Sequence, residues 1–337
     1  MTGGSNTLVR LVSATALAAA LTACTAVDNE AASVREAAVP ATSAPPAPPD
    51  PAEVGANELG MVPVLMYHQI VAEPAGEYDQ TPAEFRDELE RLYREGYRPV
   101  TAAQYISGDL DLPAGTHPVV LTFDDSTTSQ LAFTDSGDVT PDSAAGILAE
   151  FGARYPDFEP VATFYVNNEP FNGDPRALPW LAANGHEIGA HTASHPNLSG
   201  LAAEDVQREL VQNVRAVTTA APDVTVRTMA LPLGVYPADR TLAGTGAWDG
   251  TSYTFDAVML VGSNPAPAPY GEVDPGGVPR IRSGRGAVPF DSAHWLDWLA
   301  AHPDQRYTAD GDPARVSFPR DLEAGLDPRF ADRANPY

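Results

Sequence analysis

Two acidic residues, Asp124 and Asp125, follow directly on the apolar run 119–123, and two histidines, His191 and His195, follow the run 187–190. Adjacent carboxylates with no basic neighbour repel each other. A divalent cation relieves that repulsion, holding one carboxylate ionised as a ligand and leaving the other free as a base. Histidines at positions i and i+4 fall on one face of a helical turn, where both rings reach a single ion, and Pro196 bounds the segment. Two imidazoles and one carboxylate leave coordination positions open to water and substrate, as a catalytic rather than a structural site requires. Taken separately, an Asp-Asp pair also suits a turn or a helix cap, and a His pair at this spacing recurs without a metal. Together at the ends of apolar runs, they point to metal-assisted hydrolysis.

Such a site needs several strands that end in one place. Strand-like runs occur at residues 63–67, 119–123, 161–166, 187–190, 225–231, 255–261 and 278–282, with helical patterns at 144–155, 176–184, 202–217 and 293–301. A further helix begins at Pro82, where Thr81 and Glu84 form a capping box; Phe85, Leu89 and Leu92 mark its buried face and Gly96 its stop. Alternation of this kind predicts an α/β fold with a mainly parallel sheet able to close into a barrel. The C-terminal ends of its strands then collect the polar residues that follow them.

The 337 residues leave room for one large domain or two small ones, and a net charge of −25 argues against nucleic acid or anionic lipid as a partner. Arg10 precedes an apolar run to Ala23 that is too short to span a bilayer comfortably and reads as a signal peptide. The run ends in Leu21-Thr22-Ala23-Cys24, which resembles the lipobox of bacterial lipoproteins. Cys24 is the only cysteine, so it has no intrachain partner, and a lipid anchor on the outer side of a bacterial membrane is expected. The expected organisation is a signal peptide over 1–23, a disordered Ala/Pro-rich tether over 24–59, a catalytic domain over 60–302, and a C-terminal extension over 303–337 that wraps the domain and frays toward Tyr337.

From about residue 61 to 282 the chain resembles the polysaccharide deacetylase family, also known as the NodB homology domain or carbohydrate esterase family 4. Thr122-Phe123-Asp124-Asp125 matches its first motif, and His191 with His195 its second; 162–166, 185–189 and the opening Val64-Leu65-Met66-Tyr67-His68 also read like the family. The resemblance implies a distorted (β/α)7 barrel and the removal of acetyl groups from an acetylated polysaccharide by a monomer. It implies a zinc-like ion, with cobalt or nickel as alternatives, on Asp125, His191 and His195, and Asp124 as general base toward water on that metal. Leu233, in the counterpart of the third motif, would supply a backbone oxyanion donor.

The chain departs from the family at three places. The arginine that opens the third motif falls on Ala230, and Arg280 resembles one that part of the family supplies from a later strand; a plain ion pair at a strand end is the other reading. The Asp-Trp of the fourth motif is not recognisable around Asp256. The histidine of the fifth motif is missing, so His68, with His294 behind it, is the candidate general acid. A missing acid leaves two alternatives open: an O-acetyl esterase, whose leaving group needs less help, and a glycan-binding envelope lipoprotein without turnover. Trp248 and Tyr270, in Gly- or Pro-rich loops, are candidate sugar platforms.

Overall fold

Residues 49–337 are described by a computed structural model. The signal peptide, Cys24 and the tether as far as residue 48 lie outside the described residues.

Eight parallel strands form the main sheet: β1 (Val64–Tyr67), β2 (Tyr97–Val100), β3 (His117–Phe123), β4 (Thr163–Val166), β5 (Glu187–Ala190), β6 (Thr228–Ala230), β7 (Ala257–Met259) and β8 (Ile281–Arg282). They run in the order β7-β6-β5-β4-β3-β1-β8, with β2 against the first half of β3. Val278 exchanges backbone hydrogen bonds with Val258 and Leu260 at 2.9 Å, while Ile281 pairs with Leu65. Residues 278–282 therefore touch both ends of the curled sheet and complete the expected distorted (β/α)7 barrel.

Side-chain alternation divides the core in two. Leu65, Tyr67, Leu121, Phe123 and Phe164 face the helices, whereas Val64, Val120, Tyr165, Ala230 and Met259 face the other way. Every residue of β3 is buried, so it reads as a continuous apolar run rather than as an alternating one. Phe123 stacks on both Tyr67 and Phe164 with ring centroids 5.0 Å apart. Truncating a ring held this way costs roughly 3–5 kcal/mol.

The outer helices are α1 (Pro82–Arg94), α2 (Ala144–Arg154), α3 (Ala177–Ala183), α4 (Ala203–Ala220) and α5 (Ser292–Ala301). The capping box of α1 forms as expected: Glu84 N donates to Thr81 Oγ1 at 3.2 Å, and Thr81 N to Glu84 Oε2 at 2.9 Å. Phe85, Leu89 and Leu92 are buried on one face of α1, and so is Glu88.

The two ends of the described chain differ from expectation. Residues 50–59 are not tether: Asp50 caps a short helix at Pro51–Val54, and Ala56, Asn57 and Glu58 are buried. The extension does not fray, because Val316–Phe318 pairs with Ala334–Pro336 and the Tyr337 hydroxyl donates to Ala56 O at 2.7 Å. Each segment supplies the other's backbone partners, through Asn57 with Thr308 and Glu58 N with Ser317 O. No local periodicity could reveal a pairing across that distance in sequence.

Candidate active site

The loops that follow β1, β3, β5, β6 and β7 meet around a cleft of about 330 Å³ lined by His68, Tyr78, Asp124, Asp125, His191, His195, Leu231, Leu233 and Val261. Backbone strain gathers here. Asp125, Ser126, Thr192, His195 and Leu233 all have positive φ, between 49° and 75°, which non-glycine residues rarely adopt. The Asp125 turn redirects its carboxyl while Asp124 stays buried.

His191 and His195 do not share a helical turn. β5 ends at Ala190, and Thr192 and His195 are left-handed, so the segment is an irregular turn. Asn167 clamps it by donating to the carbonyls of His191 and Thr192 at 2.6 and 3.0 Å, and Asn213 Oδ1 accepts from His191 N at 3.2 Å. The rings still converge, with centroids 4.9 Å apart. A glycine at 189 makes this possible, because a Cβ there would run into the Tyr165 ring and the Thr228 carbonyl.

Asp125 Oδ1 lies 3.4 Å from Nε2 of each histidine, and one donor atom from each residue falls within 4.8 Å of the others. Oxygen and nitrogen ligands about 2.1 Å from a shared tetrahedral ion would themselves be about 3.4 Å apart, so the three residues fit such an ion. His191 Nδ1 faces Ala230 O at 2.8 Å. A carbonyl only accepts, so Nδ1 carries the proton and Nε2 keeps the lone pair a metal needs. Burial and the neighbouring His191 lower the pKa of His195, which favours the neutral ring.

Arg280 is fully buried and grips Asp124 with both ends of its guanidinium, Nη1 to Oδ1 and Nη2 to Oδ2, each at 2.7 Å. Its Nε donates to Leu260 O at 2.7 Å and Nη1 also to Thr122 Oγ1 at 3.1 Å. Burial works to raise the Asp124 pKa, but Arg280, His191 and His68 outweigh it and hold the carboxyl below the ordinary carboxylate range. Asp125 is pulled down in the same way, by His191 and His68 against burial.

Of the two candidate acids, the structure brings only His68 to the cleft. Its ring lies 4.9 Å from that of Tyr78, and its Nδ1 is buried without a hydrogen-bond partner among the described residues. His294 sits instead in the first turn of α5 against Phe290 and Trp295, and does not line the cleft. Tyr270 is no sugar platform, since it is 1% exposed with its hydroxyl on Gly108 O. Trp248 packs beside Arg215 on a hairpin away from the cleft. Asp256 pairs with Arg227 at 2.7 Å. His186 is buried against Trp180, which pushes its pKa down to about 4 and marks it as structural. Sequence reasoning missed Tyr78 and Val261 in the cleft wall: Tyr78 stands in no motif, and Val261, though it ends the predicted strand 255–261, is an aliphatic residue with no chemistry to flag it.

Residues 112–245 match the polysaccharide deacetylase family, a span holding Asp124, Asp125, His191, His195 and Leu233. Over that span the chain is similar to the family. Among similar proteins, a chitooligosaccharide deacetylase of Sinorhizobium fredii (strain NBRC 101917 / NGR234) is 33% identical over 125 residues, 37% of this chain and 51% of the relative. One from Bradyrhizobium sp. (strain ANU 289) is 31% identical over 141 residues, 42% and 56% of the two chains. The chain thus spans about half the length of the curated relatives it matches. A Streptococcus pyogenes deacetylase solved in complex with acetate has TM-score 0.50 at 19% identity, covering 66% of this chain and 92% of that one. A polysaccharide deacetylase from Bacillus cereus has TM-score 0.53 at 17% identity, covering 72% and 68%. At these identities the likeness concerns the fold.

Proposed function

We propose that this chain is a member of the polysaccharide deacetylase family and a metal-dependent hydrolase that removes acetyl groups from an N-acetylated cell-envelope or extracellular polysaccharide. One observation carries the reading: the ligand set of Asp125, His191 and His195 meets, in a single cleft, a buried carboxylate held by Arg280. A divalent cation on that set, zinc by the nature of its donors with cobalt or nickel as alternatives, would acidify water and polarise the acetyl carbonyl. Asp124 accepts the proton of the attacking water, and Arg280 keeps that carboxylate ionised and oriented. The backbone N–H of Leu233 donates to the oxyanion. His68 gives the proton that lets the amine depart.

The test is acetate release from N-acetylated chito-oligosaccharides, with and without a chelator. Release should need the metal, and Asp124→Ala should abolish it; full activity in that variant would sink the assignment. Of the two candidate acids His68 and His294, His68 lines the cleft, so His68→Ala separates amide from ester chemistry. Loss on an amide with retention on an O-acetyl ester fits the donor role, because without a proton donor an alkoxide leaves far more readily than an amide anion. We further propose lipid anchoring through Cys24, on the support of the Leu21-Thr22-Ala23-Cys24 run. Cys24→Ser should release the protein from membranes.

A further inference from the structure

Among the described residues, Glu88 is the one acidic side chain on the buried face of α1, and nothing in the chemistry above uses it. Its Oε2 accepts from the Tyr67 hydroxyl at 2.9 Å and from Gln80 Nε2 at 3.1 Å, and its Oε1 accepts from the Ser292 hydroxyl. These donors come from three separate segments, and each segment leads to the cleft. Tyr67 immediately precedes His68. Gln80 lies two residues beyond Tyr78, in the short strand Asp79–Gln80 that pairs with Gln69–Ile70. Ser292 opens α5 and accepts from the N–H of Gly284 at 2.8 Å, two residues past Arg282. The Arg282 guanidinium in turn lies 5.3 Å from the Tyr78 ring centre and pairs with Glu77 at 2.7 Å.

We propose that Glu88 is a positioning residue for proton donation: by joining these three segments it fixes His68 and Tyr78 relative to the metal ligands. The proposal rests on the assignment of His68 as donor. A leucine at this point would bury as well, but would leave the Tyr67 hydroxyl in the core without a partner. Two carboxyl oxygens offer enough lone pairs for all three donors, which a single hydroxyl or amide oxygen does not. A cleft wall loosened by about 1 Å can slow a reaction by about 100-fold. Burial also raises the Glu88 pKa, partly opposed by its hydrogen bonds to Ser292, Gln80 and Tyr67.

The experiment compares Glu88→Ala and Glu88→Gln in the full chain, alone and combined with His68→Ala, reading kcat, KM and bound zinc. Glu88→Ala should keep its zinc and its KM while kcat falls about tenfold or more. Glu88→Gln, which keeps the shape and can donate to Ser292, should recover most of that loss. In the His68→Ala background, Glu88→Ala should cost nothing further. A folded Glu88→Ala with kcat within about twofold of the parent, or a loss that adds to that of His68→Ala, overturns the proposal. Should Glu88→Ala fail to fold, Tyr67→Phe removes one of the three bonds and keeps the ring stack; a drop in kcat seen only when His68 is present supports the proposal, and its absence overturns it. If the parent protein releases no acetate, it is the functional reading that fails. Glu88 is then judged by the ring-proton resonances of His68, which must move in Glu88→Ala and return in Glu88→Gln.

Discussion

Arg280 and Asp124, 156 residues apart in sequence, meet through two parallel hydrogen bonds of 2.7 Å in a fully buried pair. The family's third motif usually supplies an arginine where this chain has Ala230. Here the guanidinium arrives from the residue just before β8, in the segment that closes the barrel, and the Ala230 carbonyl orients His191.

Replacing Arg280 should therefore separate charge from geometry. Arg280→Lys keeps the charge but loses the fork, and kcat should fall about 10- to 100-fold with zinc content unchanged. Arg280→Ala leaves a buried carboxylate unpaired and should cost about 3–5 kcal/mol in stability as well. Denaturant melts read beside kcat and metal analysis check both statements.

If Asp125, His191 and His195 hold the proposed ion, metal binding and folding are coupled through His191. Adding zinc at about 100 times its dissociation constant should stabilise the parent protein by roughly 2.7 kcal/mol, visible as a rise in melting temperature. His191→Ala should lose the bound ion and most of that rise while keeping the parent's far-UV circular dichroism. An unchanged zinc response in the variant would place the ion elsewhere.

Glu58 makes stability depend on pH. Burial, above all, pushes its pKa from 4.5 to about 8, against hydrogen bonds from Ser317 and Tyr307 and helped by Asp310. The folded state therefore holds a proton that the unfolded state releases above 4.5, so this stabilisation is full below 4.5 and is lost as pH rises toward 8. In Glu58→Gln that loss disappears, and its stability relative to the parent should climb across this window by at most roughly 4–5 kcal/mol. His117 and His186, both pushed from 6.5 down to about 4 chiefly by burial, act in the opposite sense. Their contribution is present above 6.5 and lost as pH falls toward 4, so an acid limb should persist in Glu58→Gln. Urea melts across pH 4 to 9 check both limbs.

Gly189 should not tolerate a side chain. Gly189→Ala forces a Cβ into the Tyr165 ring and the Thr228 carbonyl, and overpacking of this kind costs about 1–3 kcal/mol. Because the strand carries His191 two residues on, zinc affinity should fall with it. Calorimetric zinc titration on the folded variant measures the effect.

The parts of this protein legible in its sequence are those whose cause is local. The capping box at Thr81 and Glu84 is written in four residues, and the apolar run into Asp124 and Asp125 marks a strand end without reference to anything distant. So the strand and helix order, and the company of Asp125, His191 and His195, could be read before any coordinates. Tertiary structure decided the rest. Whether Arg280 was a surface ion pair or the clamp on Asp124 depended on how the barrel closes, and which of His68 and His294 lines the cleft depended on which loop reaches it. The histidine pair converges through a left-handed turn that no spacing rule describes. Residues 50–59 are held by residues 304–317 and Tyr337, a pairing that becomes available only when the chain has folded back on itself.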